Sequence, residues 1–214
     1  MKVKICGIRD KETALAAAEL GADAIGFVFA ESKRKIDEET AREIAEILPS
    51  NMMKVGVFVN ESKENMELIA DYVGLTHLQL HGNESKELSQ SLTFPVIKAV
   101  SIEEGMDLSY ITDYPADFLL LDGPKGKYIG GNGIAFDWNQ ADSKYLGGKS
   151  IILAGGLNPE NVKEAIQKVN PVMVDVSSGV ETDGKKDIKK MKEFIMQAKQ
   201  AKGGLQNDRL HTAK

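Results

Sequence analysis

The chain has little of what marks several large classes of protein. Its 214 residues include one cysteine, so no disulfide can form within it and a reducing compartment is expected. No apolar run approaches the roughly 18 residues that a membrane-spanning helix needs. The net charge is −5 without a basic block, which argues against nucleic acid as a partner because phosphate neutralisation requires clustered Lys and Arg.

Motifs for cofactors and metals are also missing. The sequence has neither a phosphate-loop lysine motif nor a dinucleotide fingerprint between a strand and a helix. His77 and His81 do not form a His-Glu-x-x-His pair, and one cysteine cannot build a thiolate site. We therefore expect no metal and no cofactor. The first residues, Met1–Cys6, resemble a strand and not a secretory signal, so a cytoplasmic location without membrane contact is expected.

Strand-like and helix-like segments alternate along the chain. Strands are predicted at Val3–Cys6, Ala24–Phe29, Lys54–Val59, His77–Leu80, Val96–Val100, Phe118–Leu121, Ser150–Ala154 and Val172–Val176. Amphipathic helices are predicted at Asp10–Leu20, Asp37–Leu48, Glu61–Val73, Glu84–Leu92 and Pro159–Lys168. Most of these strands are apolar throughout, as in parallel sheets buried on both faces. The order is compatible with a closed barrel or an open doubly wound sheet.

Four glycine-marked segments favour the barrel. They follow the first, sixth, seventh and eighth strands, at Lys4–Gly7, Leu120–Gly123, Leu153–Gly156 and Val176–Gly179. In a closed parallel barrel the first and last strands are neighbours, and active sites form at the carboxyl ends of the strands. An open sheet would concentrate its site at one switch point. We predict an α/β fold, a single-domain (β/α)8 TIM barrel over residues 1–202, with residues 203–214 as a disordered tail.

Two of these segments predict a phosphate site. Gly155-Gly156 joins the seventh strand to a helix, and Ser178-Gly179 follows the eighth strand. Glycines let the backbone approach an anion closely, and barrels frequently bind phosphate between the loops after these two strands. One Gly-Gly pair is often only a tight turn. Two such turns on adjacent strands are stronger evidence for a phosphate site.

Cys6 and Asp122 are the candidates for proton transfer, and each has a purely structural alternative. A lone cysteine on an apolar strand is most often a packing residue, but Cys6 lies at the carboxyl end of its strand, where a thiol of lowered pKa could act as a base. Asp122 closes an apolar strand, where a partly desolvated carboxyl group suits a general acid. It could equally cap the turn that Asp122-Gly123 begins.

Several other residues are weaker candidates. Arg34, in the loop after the second strand, could bind a carboxylate in bidentate fashion. His81 could contact a ligand or brace its loop, and Asp175 could face the mouth or brace the barrel interior. Lys98 is the lysine to consider for Schiff-base chemistry. The glycine-rich segment Gly123–Asp137 is interpreted as a mobile loop over the mouth, with a solvated connection as the alternative.

Together these segments resemble the phosphoribosylanthranilate isomerase family, barrel enzymes of tryptophan synthesis. The resemblance runs from Lys4 to about Glu181 and is specific in its order and spacing. Its components are Lys4-Ile5-Cys6-Gly7-Ile8, Gly26-Phe27-Val28-Phe29 with Ser32 and Arg34, Gln79-Leu80-His81-Gly82, Leu121-Asp122, Leu153-Ala154-Gly155-Gly156-Leu157 and Asp175-Val176-Ser177-Ser178-Gly179-Val180-Glu181.

The resemblance implies an Amadori rearrangement of N-(5-phosphoribosyl)anthranilate to 1-(2-carboxyphenylamino)-1-deoxyribulose 5-phosphate. Asp122 matches the family's general acid and Cys6 its general base. Arg34 matches the residue that binds the anthranilate carboxylate, and the phosphate-binding turns contain Gly155, Gly156, Ser178 and Gly179. The implied partner is a small phosphosugar, and no obligatory protein partner is predicted.

Two alternatives remain at this stage. Another phosphosugar barrel enzyme is the nearer one, although histidine-pathway sugar isomerases use two carboxylates where this chain has Cys6 on its first strand. A non-catalytic barrel that binds a phosphometabolite is of a different class. Such a protein would need the glycine turns but neither Cys6 nor Asp122.

Overall fold

The protein is described by a computed structural model that covers residues 1–103, 109–123, 138 and 148–211. Eight parallel strands form a closed barrel, and β8 returns to pair with β1. The strands are β1 Lys2–Cys6, β2 Ala24–Val28, β3 Met53–Phe58, β4 His77–Leu80, β5 Val96–Ser101, β6 Phe118–Asp122, β7 Ile151–Leu153 and β8 Met173–Val176. The predicted (β/α)8 barrel is confirmed.

Helices lie between the strands and follow β8. They are α1 Lys11–Glu19, α2 Glu38–Ile47, α3 Lys63–Val73, α4 Lys86–Ser91, α5 Ser109–Thr112, α6 Val162–Val169 and α7 Ile188–His211. The side chains of Asp10, Asp37, Ser62 and Ser85 cap the first four, each accepting from the backbone N–H three residues later. Among the residues that the structure describes, no helix is long and apolar enough to cross a membrane.

After β8 the chain makes a short 3-10 helix, Ser178–Val180, and then a small hairpin. The hairpin pairs β9, Glu181–Thr182, with β10, Lys185–Lys186, in antiparallel fashion. The hydroxyl of Thr182 donates to the Asp187 carboxylate at 2.9 Å. This hairpin returns Lys186 to the carboxyl end of the barrel, where its ammonium donates to the Ser177 carbonyl at 3.0 Å.

The structure differs from the predicted elements in two places. Helix α6 begins at Val162 and not at Pro159, because the Asn158 side chain accepts from the N–H groups of Glu160 and Asn161 and holds a separate turn there. Helix α7 continues to His211, into the segment 203–214 for which the sequence predicts a disordered tail. Residues 124–137 of the predicted mobile loop and residues 212–214 lie outside the described residues, so the mobile loop and a disordered end at 212–214 stay predictions.

The core has two parts, which the strands separate. The larger part fills the space between barrel and helices and takes Val3 and Ile5 from β1 and Leu119 and Leu121 from β6. The smaller part fills the barrel interior, with Ala24, Val55, Ile97, Ala99, Leu120, Ile152, Ala154 and Met173. Successive side chains of a strand point to opposite faces, so the positions alternating with the outer core face inward. Cys6 and Asp122 stand on this inner set of positions.

Candidate active site

A cavity of about 770 Å³ opens at the carboxyl ends of the barrel strands. Its volume suits a small-molecule ligand. Nearly all of the site residues predicted from sequence line it, namely Cys6, Arg34, His81, Asp122, Gly155, Gly156, Asp175 and Ser178. Gly179 is not among the lining residues. The structure therefore brings together residues that are separated by up to 172 positions in the chain.

The Cys6 thiol is buried and surrounded by charge. Only 8% of the residue is exposed. Burial raises the pKa of the thiol above its ordinary value, while the ammonium group of Lys4 acts in the opposite sense, Asp175 adds to the rise and Lys186 opposes it. In the ligand-free site burial prevails, so the thiol is protonated at neutral pH. The two lysines are the positive groups that an ionised thiol would need.

Lys4 is the most deeply buried charge near Cys6. Its ammonium donates to Asp175 Oδ2 and to Gln79 Oε1, each at 3.0 Å, and the side chain is fully buried. Burial alone would lower the pKa of Lys4, but the facing charge of Asp175 raises it above its ordinary value. Asp175 thus both braces the interior and lines the cavity. Its other oxygen, Oδ1, is buried without a hydrogen-bond partner among the described residues.

Asp122 makes a turn-capping contact and also lines the cavity. Its Oδ1 accepts from the N–H of Gly123 at 2.8 Å, which is the turn-capping contact. Its Oδ2 lies 3.5 Å from Nε2 of His81, and the residue lines the cavity. Nδ1 of His81 in turn lies 3.0 Å from Nε2 of Gln79. His81 therefore connects the candidate acid to the polar interior of the barrel.

Arg34 is held by a bidentate ion pair with Glu181. Nε and Nη2 of Arg34 donate to the two oxygens of Glu181 at 2.7 and 2.9 Å. Lys186 also donates to Oε1 of Glu181, at 2.8 Å. Burial of Glu181 opposes ionisation, but the hydrogen bond from Arg34 and the charge of Lys186 lower its pKa to about 2. Nη1 of Arg34 has no partner among the described residues, so this end of the guanidinium is free for a ligand carboxylate.

The predicted phosphate turns touch each other and the end of β6. A side chain at Gly155, where φ is +76°, would place its Cβ 2.1 Å from the backbone N of Gly123. A Cβ at Gly179 would lie 1.9 Å from the carbonyl oxygen of Leu157. Neither position can hold a side chain without moving backbone. The close approach places the loops after β6, β7 and β8 side by side next to Asp122.

Comparison with known proteins shows the family to which the chain belongs. The family described as N-(5'-phosphoribosyl)anthranilate (PRA) isomerase matches residues 3–197. The N-(5'-phosphoribosyl)anthranilate isomerase of Bacillus cereus (strain AH187) is 54% identical over 202 residues, which are 94% of this chain and 98% of the relative. The chain belongs to the phosphoribosylanthranilate isomerase family.

Solved structures of isomerases in this family share the fold. The crystal structure of phosphoribosyl anthranilate isomerase from Thermotoga maritima superposes with a TM-score of 0.87 and 45% identity, covering 94% of this chain and 99% of that one. A second phosphoribosyl anthranilate isomerase structure is a complex with reduced 1-(o-carboxyphenylamino)-1-deoxyribulose 5-phosphate. Its TM-score is 0.83 and its identity 44%, with the same shares of the two chains covered.

Sequence reasoning missed four residues that shape the site of this isomerase, namely Lys4, Gln79, Glu181 and Lys186. A lysine inside the apolar first strand was a usable signal, because a charge there must be paired when the strand is buried. The pairing of Glu181 with Arg34, 147 positions away, had no local signal. Lys98, by contrast, lies outside the cavity lining and is paired with Glu84 at 2.7 Å. That position gives no support to Schiff-base chemistry.

Proposed function

We propose that this chain isomerises N-(5'-phosphoribosyl)anthranilate to 1-(2-carboxyphenylamino)-1-deoxyribulose 5-phosphate in tryptophan biosynthesis, with Asp122 as general acid and Cys6 as general base. Membership of the isomerase family supports the reaction, as does a relative solved with the reduced form of the product. One observation supports both the acid role of Asp122 and the base role of Cys6. A carboxyl group and a thiol line the same cavity, beside glycine turns and a guanidinium.

The reaction needs an acid first and a base second. Asp122 gives its proton to the ring oxygen of the ribose while the C1–O bond breaks and the nitrogen lone pair forms a C=N bond. The Cys6 thiolate then removes the proton from C2, and the electron pair moves through C1 to nitrogen to give the enolamine. Tautomerisation of the enolamine returns a proton to C1 and leaves the ketone at C2. Oxidation at C2 balances reduction at C1, so the electrons stay within the substrate.

Ionisation of Cys6 is the step that the surroundings must support. Burial keeps the thiol pKa high in the free site, and Lys4 and Lys186 supply the positive charge that opposes this effect. Lys4 is fixed by Asp175 and Gln79, and Lys186 by Glu181 and Ser177. Cations that are fixed before the substrate arrives stabilise a thiolate without the cost of reorganising.

The two ends of the substrate would be held by different loops. Backbone at Gly155, Gly156, Ser178 and Gly179 would bind the phosphate, and Nη1 of Arg34 would bind the anthranilate carboxylate. Glu181 orients the guanidinium through its other edge. Anchoring both ends places the sugar between Cys6 and Asp122 and lowers the entropic part of the barrier.

The test is consumption of N-(5'-phosphoribosyl)anthranilate, followed by its fluorescence, with Cys6→Ser and Asp122→Asn variants. Each substitution nearly preserves shape, and each should lower kcat by about 10²–10⁴-fold because general acid–base catalysis contributes that much. Glu43→Gln is the matched control, since Glu43 is half exposed on α2 and bonded only to Lys11 in the described structure. Circular dichroism checks folding.

Two results would overturn the proposal. Full activity in either variant would remove the assigned role. Tight binding of substrate by the unaltered chain without any turnover would favour the non-catalytic phosphometabolite-binding barrel. The cytoplasmic location and the absence of an obligatory protein partner remain predictions.

A further inference from the structure

A continuous line of polar side chains runs from Lys4 inside the barrel to the wall of the cavity. Lys4 of β1 lies 3.0 Å from Oε1 of Gln79 on β4, Nε2 of Gln79 lies 3.0 Å from Nδ1 of His81, and Nε2 of His81 lies 3.5 Å from Oδ2 of Asp122. Lys4 and Gln79 are almost wholly buried, at 0% and 1% exposure. Water therefore cannot readily replace any partner at the Lys4 end.

The chemistry of Lys4 sets the direction of every contact in this line. An ammonium group only donates, so the group of Gln79 that faces it must be the carbonyl oxygen. The amide then turns its NH₂ group toward His81, and an NH₂ group donates. Nδ1 of His81 must accept, which requires that it carry no proton. The ring is then neutral with its proton on Nε2, the nitrogen that faces Asp122.

We propose that Gln79 and His81 are positioning residues for Asp122, and that Lys4 fixes the His81 tautomer through Gln79. The inference rests on the proposed function of Asp122. When Asp122 has given its proton to the sugar, its carboxylate accepts from Nε2–H of His81 on one oxygen and from N–H of Gly123 on the other. His81 keeps its proton throughout. The 3.5 Å separation in the free site is long for a hydrogen bond, as is common before substrate binds.

The reversed tautomer would undo this arrangement. With the proton on Nδ1, the ring would meet the NH₂ group of Gln79 donor to donor, and Nε2 would present a lone pair to the Asp122 carboxylate. Two acceptors would then face each other at the moment when negative charge develops. Gln79 therefore disfavours that state at Nδ1 from the start, and the Asp122 carboxylate disfavours it at Nε2 once Asp122 has given up its proton.

The direct test is ¹⁵N NMR of the histidine rings in the full chain at neutral pH. The chain has three histidines, and the signals of His81 are assigned by their loss in His81→Leu. We expect a neutral ring with the proton on Nε2. A proton on Nδ1 in the unaltered protein, alone or together with one on Nε2, would overturn the proposal whether or not any variant folds.

A second test replaces the hydrogen-bond donor that faces Nδ1 of His81 with an acceptor. In Gln79→Glu the carboxylate can only accept, so it should draw a proton onto Nδ1 of His81 while keeping its contact with Lys4. We expect the NMR signature of a neutral ring with its only proton on Nδ1, together with a kcat lowered about 10–100-fold and a KM changed by less than about threefold, since the lost donor at Nε2 acts on charge that develops in the transition state. Wild-type kcat in a variant whose ring carries its only proton on Nδ1 would refute the role.

Substitutions of His81 separate positioning from packing. His81→Gln keeps an N–H at a similar reach and should retain kcat within about tenfold, whereas His81→Leu should lose about as much as Gln79→Glu. His77→Gln is the matched control on the same strand, because His77 contacts Thr76 and not Asp122. Equal kcat in His81→Gln and His81→Leu would refute the proposal. A wild-type chain without turnover would instead remove the proposed function and leave the tautomer measurement standing.

Discussion

The ion pair between Arg34 and Glu181 leads to a quantitative prediction about stability. Glu181→Gln keeps the shape of the side chain and removes its charge. The Glu181 side chain is 8% exposed, so solvent screens the pair weakly. Its pKa is lowered from 4.5 to about 2, which corresponds to about 3 kcal/mol of folding free energy at neutral pH.

The sign of the pH dependence follows from the lowered pKa. A carboxylate with a lower pKa in the folded state contributes its full stability above the unfolded value, near 4.5 here, and loses it as pH falls through the folded value of about 2. At pH 7 the variant should be less stable by about 3 kcal/mol, or about 6–12 °C in Tm. At pH 3 less than about half of that difference should remain.

Urea unfolding at the two pH values measures this directly. Glu31→Gln is the matched control, because Glu31 pairs with Lys35 in the same loop while its side chain is 90% exposed. The control should behave as wild type, since exposed ion pairs contribute little. A Glu181→Gln variant as stable as the control at pH 7, or one whose deficit is the same at pH 3, would refute the reasoning.

Two further predictions concern the candidate active site. Because burial holds the pKa of the Cys6 thiol above its ordinary value of 9.0, inactivation by iodoacetamide, which alkylates the thiolate, should be slow at pH 7 and should accelerate without levelling off up to pH 9; a rate that levels off below pH 9 would contradict the raised pKa. Arg34→Lys should raise KM about tenfold and change kcat less, because Lys lacks the planar fork that contacts Glu181 on one edge and that we propose to bind the ligand carboxylate on the other. An unchanged KM in the same fluorescence assay would count against that contact.

The barrel could be predicted well because the sequence patterns that mark its strands and helices are local. Apolar runs mark the strands, and β4 was predicted residue for residue at His77–Leu80. The other strands end within two residues of their predicted limits. Helices were predicted from amphipathic spacing, and the predicted starts at Asp10 and Asp37 are the capping residues of α1 and α2. The start of α6 was misplaced because the Asn158 side chain holds a separate turn before Val162.

The residues of the candidate site could be predicted from the sequence, but their hydrogen bonds and ion pairs could not. Cys6, Asp122 and Arg34 were chosen by their place after strands, and the structure brings them to one cavity. Hydrogen-bond partners cannot be read in this way, since Arg34 and Glu181 meet only when the ring closes. The buried state of the thiol was equally hidden, because it depends on neighbours from several strands and on the hairpin that carries Lys186.

The two-part core has a consequence for how such a protein can change. Along β1, Val3 and Ile5 pack between the barrel and its helices, while Lys4 and Cys6 point into the barrel, where Cys6 lines the cavity. Odd-numbered residues of β1 therefore serve packing against the helices, and even-numbered residues serve the barrel interior and the cavity. Replacing Cys6 can change what the cavity presents to a ligand while the outward contacts of β1 stay in place. Replacing Lys4 would also deprive the Asp175 carboxylate of its ion-pair partner inside the barrel.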